Sequence, residues 1–469
     1  MTTSAVTDET KQFTRAPGQR HALAHIPGED GWPVIGNTLK LLADPIGTVS
    51  LFHEKYGPVY RSRAFGYRSV SLLGPEGNEL VLFDRDKNFS SAAGWGPVLD
   101  QVFPRGLMLM DFEEHRLHRK ALGVAFKTGP MKSYHDALNE GISRRIAEWH
   151  LEGGGQGAGA EFAFYPHIKQ LTLDLAATSF LGIGLGEQAR DVNGAFVAMV
   201  AAAVGVVRKP VPGTQMWRGV NGRKTISAFF ASEIPKRRHG TGADLFSELC
   251  RTTKEDGALL TEQEIIDHMS FLMMAAHDTL TSSVSSLVFP LAANPEWQEK
   301  LRAEMLSLGL APGAGLPYER LGDLNLAEMA FKESMRINPP VPAIPRRAMR
   351  DFEFKGFDIP AGTGVGINPL FTHRMASLWP NPEQFDPLRF TDDAVRGRHR
   401  YAWVPYGGGA HMCLGLHFAY MQAKTFFYHL LTTSRISLAP GYKPQWQMWP
   451  IPKPRDGLPI RIERVRSTG

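Results

Sequence analysis

Cys413 is one of two cysteines in the chain and lies in the stretch Tyr406-Gly-Gly-Gly-Ala-His-Met-Cys413-Leu-Gly415. Three glycines precede it, and Gly415 follows two residues later. Next comes an apolar helical face, with Leu416, Ala419, Ala423, Phe426, Phe427 and Leu430 at spacings of three and four. The cysteine therefore stands at the mouth of a helix, where free backbone N–H groups and the helix dipole favour a thiolate. The glycines let the backbone approach a large flat group without Cβ interference. A single thiolate presented in this way suits an axial ligand of haem iron. The alternative is a buried structural cysteine beside a turn.

Other residues of chemical interest are spread along the chain. Ala275-Ala276-His277-Asp278-Thr279 falls in the middle of a long helical pattern. A buried helical threonine commonly bonds its own i−4 carbonyl. An acid directly before it, on an otherwise apolar face, costs free energy unless it is paired or functional. His115 and Arg119 are four apart and share a helix face. Glu333 and Arg336 are three apart, and Pro387-Leu388-Arg389-Phe390 follows further on. Pro339, Pro340, Pro342 and Pro345 make an extended, rigid run that leads into Arg346.

Together, and in this order, these landmarks resemble the cytochrome P-450 monooxygenases over nearly the whole chain from Pro27. The resemblance implies a mainly α fold with a smaller β-rich lobe. Haem b would lie between the long central helix and the Cys413 loop. Residues 1–26 would be a flexible segment, and 27–469 one catalytic domain. Tyr406, Gly409, His411, Cys413 and Gly415 match the signature of the haem-ligand loop, with Cys413 as the iron ligand. His115, Arg119 and Arg346 match residues that contact haem propionates. Asp278 and Thr279, after Ala275, match the acid–threonine pair that organises protons at dioxygen. Glu333, Arg336 and Arg389 match a buried structural triad.

Two departures stand out. His411 replaces the usual arginine, reaches less far and is not always charged. Ala276 replaces a glycine that widens the groove beside the haem. The run from His277 to Ser283 is most similar to the branch containing sterol demethylases and retinoid hydroxylases. Trp95, Val98, Ala276, Val341, Ile344 and Ile451 are the candidate pocket residues, although Trp95 and Val98 would equally serve to pack down a loop. The implied reaction is O2-dependent oxidation of a hydrophobic molecule such as a steroid, terpenoid, retinoid or fatty acid. No reductase segment follows, so a separate ferredoxin and ferredoxin reductase would supply electrons. Two other readings stay open: a peroxide-using or peroxide-rearranging enzyme of the same fold, and a haem- or ligand-binding protein without turnover.

Composition fits a globular chain: 469 residues, 43% hydrophobic, 21% charged, with a formal net charge of +5. Lys and Arg are dispersed, so no nucleic-acid partner is expected. Two cysteines cannot form a disulfide framework and fit a reducing compartment. The first 24 residues lack an apolar core, and the longest apolar run, from Gly194 to Val207, is too short to span a membrane. A soluble, cytoplasmic protein of bacterial type, acting as a monomer, is expected.

The elements that must position these residues follow from pattern. Leu39 to Tyr56 predicts a helix, Val59 to Leu73 a pair of strands, and Gly94 to Gly106 a loop. Asp111 to Phe126 predicts the helix carrying His115, with Arg116 and Lys120 turned towards an acidic redox partner. Asp191 to Val207 predicts an Ala/Val-rich helix that Arg208-Lys209-Pro210 stops; the resemblance makes it part of a lid. Thr261-x-x-Glu264 is a capping box that opens the central helix, with Pro290 and Asn294-Pro295 closing it and opening the next.

Overall fold

A computed structural model describes residues 23–152, 161–183, 187–205 and 207–465. Residues 1–22 and the glycine-rich connection at 153–159 lie outside the described residues. Helices dominate and small sheets accompany them, as the sequence predicts.

The body of the larger sheet is β1 (Val59–Ala64), β2 (Tyr67–Leu72), β3 (Ile344–Ala348) and β4 (Gly364–Ile367), in the order β1-β2-β4-β3. β2 and β4 run parallel; the other two pairs are antiparallel. The register sets Ile344 opposite Ile367 and Arg346 opposite Val365. Alternation along β3 then sends Ile344 and Arg346 to one face.

Nine helices carry or frame the site: α1 (Ser91–Leu99), α2 (Phe112–Leu122), α3 (Thr128–Glu152), α4 (Phe164–Leu181), α5 (Glu187–Ala203), α6 (Gln215–Arg238), α7 (Glu262–Ala293), α8 (Asn325–Ile337) and α9 (Leu416–Thr433). The central helix α7 has 32 residues. Its capping box is complete: Thr261 Oγ1 accepts the Glu264 N–H at 3.2 Å, and Glu264 Oε2 accepts the Thr261 N–H at 2.7 Å. α7 runs through Pro290 to Ala293, so that Asn294-Pro295 closes it and Pro290 does not. One lost backbone bond in the last turn is offset by burial of Leu287, Val288 and Leu291. Asn294 then caps the Pro290 carbonyl through both its backbone N–H and its side-chain amide.

Three other expectations change. Leu39 to Tyr56 is two helices, Thr38–Ala43 and Pro45–Tyr56. Pro45 halts the first, and Asp44 caps the second by accepting the Gly47 N–H at 2.8 Å. The stretch from Gly94 is not all loop, because α1 runs through it as far as Leu99. Ser90 Oγ caps α1 at Ala93 N–H, and the Asp111 carboxylate accepts from Ser91 and Ala92. Gly94 there answers a packing need: a Cβ would meet the Pro345 carbonyl oxygen at 2.6 Å. Tertiary contact overrides glycine's weak helix propensity. Finally, α5 ends at Ala203 rather than Val207.

The small residues of α5 go largely into a close crossing with α6. Gly222 faces the Ala195 carbonyl oxygen at 2.5 Å from a would-be Cβ, and Gly219 faces the Ala202 methyl at 2.2 Å. The Ala-rich face of α5 thus serves helix–helix contact.

Candidate active site

The Cys413 loop is built tightly against its own protein. The Cys413 N–H donates to the Tyr406 carbonyl at 2.9 Å, which folds the loop back on itself. Gly409 has φ +59°, and a Cβ there would lie 1.9 Å from the Leu82 carbonyl oxygen on the neighbouring helix Pro75–Phe83. Gly408 lies against the Tyr401 ring and Leu82. Gly408 and Gly409 therefore answer close approach to protein as well. Gly415 is the N-cap of α9. The Cys413 thiol is accessible although protein closely surrounds it. Burial pushes the thiol up, while the Gly415 N–H and the Arg119 charge pull the other way.

Four basic side chains converge beside this loop from three parts of the chain. His115, on α2, stacks at a tilt against His411 with ring centroids 3.9 Å apart. Arg119 is one turn further along α2. Arg346 projects from β3, is 6% exposed, and donates to the Pro345 carbonyl at 2.9 Å. Burial, then the neighbouring cations, hold His115 at about 4. Burial, then His115, Arg346 and Arg119, hold His411 at about 2. Both rings are therefore neutral at pH 7. Among the described residues neither Arg119 nor Arg346 has a carboxylate within 4.0 Å, although Arg346 feels Asp111 and Asp84 at longer range. Buried guanidinium groups call for anionic partners. A thiol and four convergent basic groups are a donor set that fits an iron porphyrin with two carboxylates. Arg347, next in sequence, is engaged elsewhere and donates to the Gly362 carbonyl at 2.8 Å.

On α7, Thr279 Oγ1 donates to the Ala275 carbonyl at 2.6 Å. Asp278 is not free: Oδ1 lies 3.1 Å from His277 Nδ1 and 3.4 Å from Lys169 Nζ on α4. Burial opposes ionisation of Asp278, but the His277 contact and the His277 and Lys169 charges outweigh it and hold the carboxyl at about 2. Lys169 is absent from the sequence reading because nothing local ties it to a helix so far along the chain. Ala275 and Ala276 are half-buried on α7.

The candidate pocket residues come from two apolar clusters and one turn. Trp95 and Val98 on α1, with Ala276, pack against the main apolar core. Ile344 is buried in the sheet's own cluster, with Val341 packed against it. Ile451 is half-buried in the turn from Met448 to Pro454, which Ser282 of α7 holds by donating to the Pro452 carbonyl at 2.6 Å. Arg116 and Lys120 do not stand free for a partner: both donate to Glu255, at 3.0 and 2.8 Å.

Behind the loop, Glu333 and Arg336 on α8 are fully buried and bond at 2.7 Å and 2.9 Å. Arg389 Nε reaches Glu333 at 3.4 Å, and the Asp386 N–H donates to Glu333 at 3.1 Å. Arg336 also donates to the His373 and Pro382 carbonyls.

This arrangement, a mainly helical fold with a cysteine loop and convergent basic groups, fits a haem protein, and comparison with known proteins names the family. The Cytochrome P450 family profile matches residues 26–450. A putative cytochrome P450 136 of Mycobacterium tuberculosis is 36% identical over 458 residues, covering 96% of this chain and 91% of the relative. Taxane 10-beta-hydroxylase of Taxus cuspidata is 29% identical and covers 93% of this chain and 89% of the relative. The structure of retinoic acid bound cyanobacterial CYP120A1 superposes with a TM-score of 0.83 at 27% identity, covering 94% of this chain and 99% of that one. The chain belongs to the cytochrome P450 family and is a monooxygenase of that family. No helix among the described residues is long and apolar enough to cross a membrane.

Proposed function

We propose that the chain oxidises an apolar small molecule of the retinoid or terpenoid kind, with steroids and fatty acids as further members of the same chemical class. It would use haem b, O2 and electrons from a separate ferredoxin and its reductase. It would act as a cytoplasmic monomer, with residues 27–469 as one catalytic unit. One observation carries the cofactor assignment: the accessible Cys413 thiol beside the convergent His115, Arg119, Arg346 and His411. For the substrate class, the support is similarity to a taxane hydroxylase and to a retinoic acid bound structure.

Haem, when bound, supplies the redox chemistry that activates O2. Cys413 Sγ would hold its iron, and a thiolate donates electron density to it. Arg119 and Arg346 would hold the carboxylates as charged donors, with neutral His115 and His411 as single N–H donors. Thr279 Oγ1, turned from the Ala275 carbonyl, would hold a proton for the reaction. Asp278, ionised at rest, would take up a proton from solvent once its contacts with His277 and Lys169 loosen, and pass it on to the Thr279 hydroxyl. Trp95 and Val98, on α1, would exclude water.

An optical titration of the purified ferric protein with retinoic acid, a taxane, a steroid and a fatty acid tests the proposal. A saturable low- to high-spin shift with one class, followed by ferredoxin-dependent product formation, is the expected result. A protein without a thiolate-type haem spectrum would overturn the cofactor assignment. A normal spectrum with no shift from any of the four would overturn the substrate class.

A further inference from the structure

Arg208-Lys209-Pro210 predicts a helix stop, and the site described above makes no use of it. Its arginine does more than end α5. Nη1 donates to the carbonyls of Ala202 at 3.0 Å and Ala203 at 2.9 Å, in the last turn of α5. Nη2 donates to the carbonyls of Val98 at 2.7 Å and Pro97 at 3.3 Å, in the last turn of α1. Carbonyls at a helix C-terminus have no partner within the helix and carry the negative end of its dipole. One half-buried guanidinium therefore closes two helices at once. A lysine ammonium lacks the planar fork that reaches both.

The segment after α1 is tied to the same lid. Arg223 of α6 donates to the Gln101 carbonyl at 3.4 Å. The Phe103 ring meets Phe196 of α5 with centroids 6.5 Å apart, and Val102 Cγ1 lies 3.2 Å from a would-be Cβ at Gly219. Phe196 in turn meets His277 of α7 at 6.0 Å. The chain from Pro97 to Phe103 is thus packed on the lid along its length, and Arg208 supplies the hydrogen bonds at its α1 end. Opening a path between α1 and α5 requires Arg208 to release one pair of carbonyls.

We propose that Arg208 is a positioning residue that clasps α1 to α5 and so governs how readily a bulky apolar molecule passes beneath them. The clasp rests on the monooxygenase reading only for the pocket it covers. Arg208 touches no reacting atom. It acts through Trp95 and Val98, whose helix it anchors.

The test uses the haem-loaded full chain as wild type, Arg208→Ala, Arg208→Lys and Arg208→Gln. Hydrogen exchange without ligand reports on residues 98–103 and 200–205. Stopped-flow absorbance follows binding of imidazole and of the bulkier 4-phenylimidazole to the ferric protein. In Arg208→Ala, exchange should quicken about tenfold or more in both segments together, as expected for lost hydrogen bonds to a charged group. Association and dissociation of 4-phenylimidazole should both quicken about tenfold on the same basis, while imidazole is unaffected. Arg208→Lys should protect one segment and not the other.

Faster exchange confined to 200–205 would make Arg208 an ordinary cap of α5 and overturn the clasp. Equal rate changes for the two probes, or none, would overturn its role in access. If Arg208→Ala does not fold, Arg208→Gln, with two donors in place of the fork, carries the same comparison. A protein that takes up no haem would remove the optical arm and the monooxygenase reading with it. The exchange arm would still decide whether α1 and α5 are clasped.

Discussion

Lys169 Nζ on α4 lies 3.4 Å from Asp278 Oδ1 on α7. This contact joins two helices and, after the larger effect of His277, helps to hold the buried acid ionised. The Asp278 carboxyl is lowered from 3.8 to about 2. A depressed carboxylate contributes stability that is present above its unfolded value and is lost as pH falls through the folded one. Lys169→Met should therefore cost about 1 kcal/mol at pH 7, discounted because Lys169 is a third exposed. The difference should shrink as pH drops from 4 towards 2. Urea unfolding at both ends of that range measures it, and a pH-independent difference would mean that Lys169 acts through packing.

Thr279→Ala removes the hydroxyl that bonds the Ala275 carbonyl. Alanine suits a helix interior, so stability should change by less than about 1 kcal/mol. Product formation should fall about 100-fold if the hydroxyl handles a proton, with Thr279→Ser retaining most of it. Wild-type turnover in Thr279→Ala would leave Thr279 with a structural role alone.

Glu333→Gln should be among the most damaging single changes. It leaves Arg336, which has no exposed side-chain surface, without its counter-charge. Removing one partner of a buried pair costs about 3–5 kcal/mol. Arg389→Met should cost less, because its 3.4 Å contact is longer and its side chain is 11% exposed. Guanidinium midpoints of the two variants should separate in that order.

His411→Arg places a fixed cation among His115, Arg119 and Arg346. Without an anion the added charge is repelled, so the haem-free protein should lose stability. With the carboxylates bound it should gain. The expected outcome is a wider gap in Tm between haem-free and haem-loaded protein than in wild type, together with slower haem transfer to apomyoglobin. An unchanged gap would place residue 411 away from the carboxylates.

Much of this architecture was legible from short patterns. The capping box at Thr261 and Glu264 identified the start of α7, because both its bonds are local in sequence. Glu333 and Arg336 were legible for the same reason. Their third partner, Arg389, was found through the resemblance, since nothing in a spacing of about fifty residues encodes contact. α1 was missed because Gly94 and Gly96 argue against helix unless the neighbouring Pro345 backbone is known. Lys169 and Arg208 were missed as functional residues because each acts on a helix distant in sequence. The pairing of Arg116 and Lys120 with Glu255 was not legible either, because charges on one helix say nothing of an acid so far along the chain.

The crossing of Ala195 and Ala202 with Gly222 and Gly219 bears on how the enzyme can be re-engineered. Any side chain at Gly219 or Gly222 would force the two helices apart, so a library randomised at these two positions should yield mostly misfolded clones. Trp95, Val98 and Ile451 are half-buried side chains and sit outside this crossing. Diversity placed there should alter which molecules are accepted while preserving the scaffold.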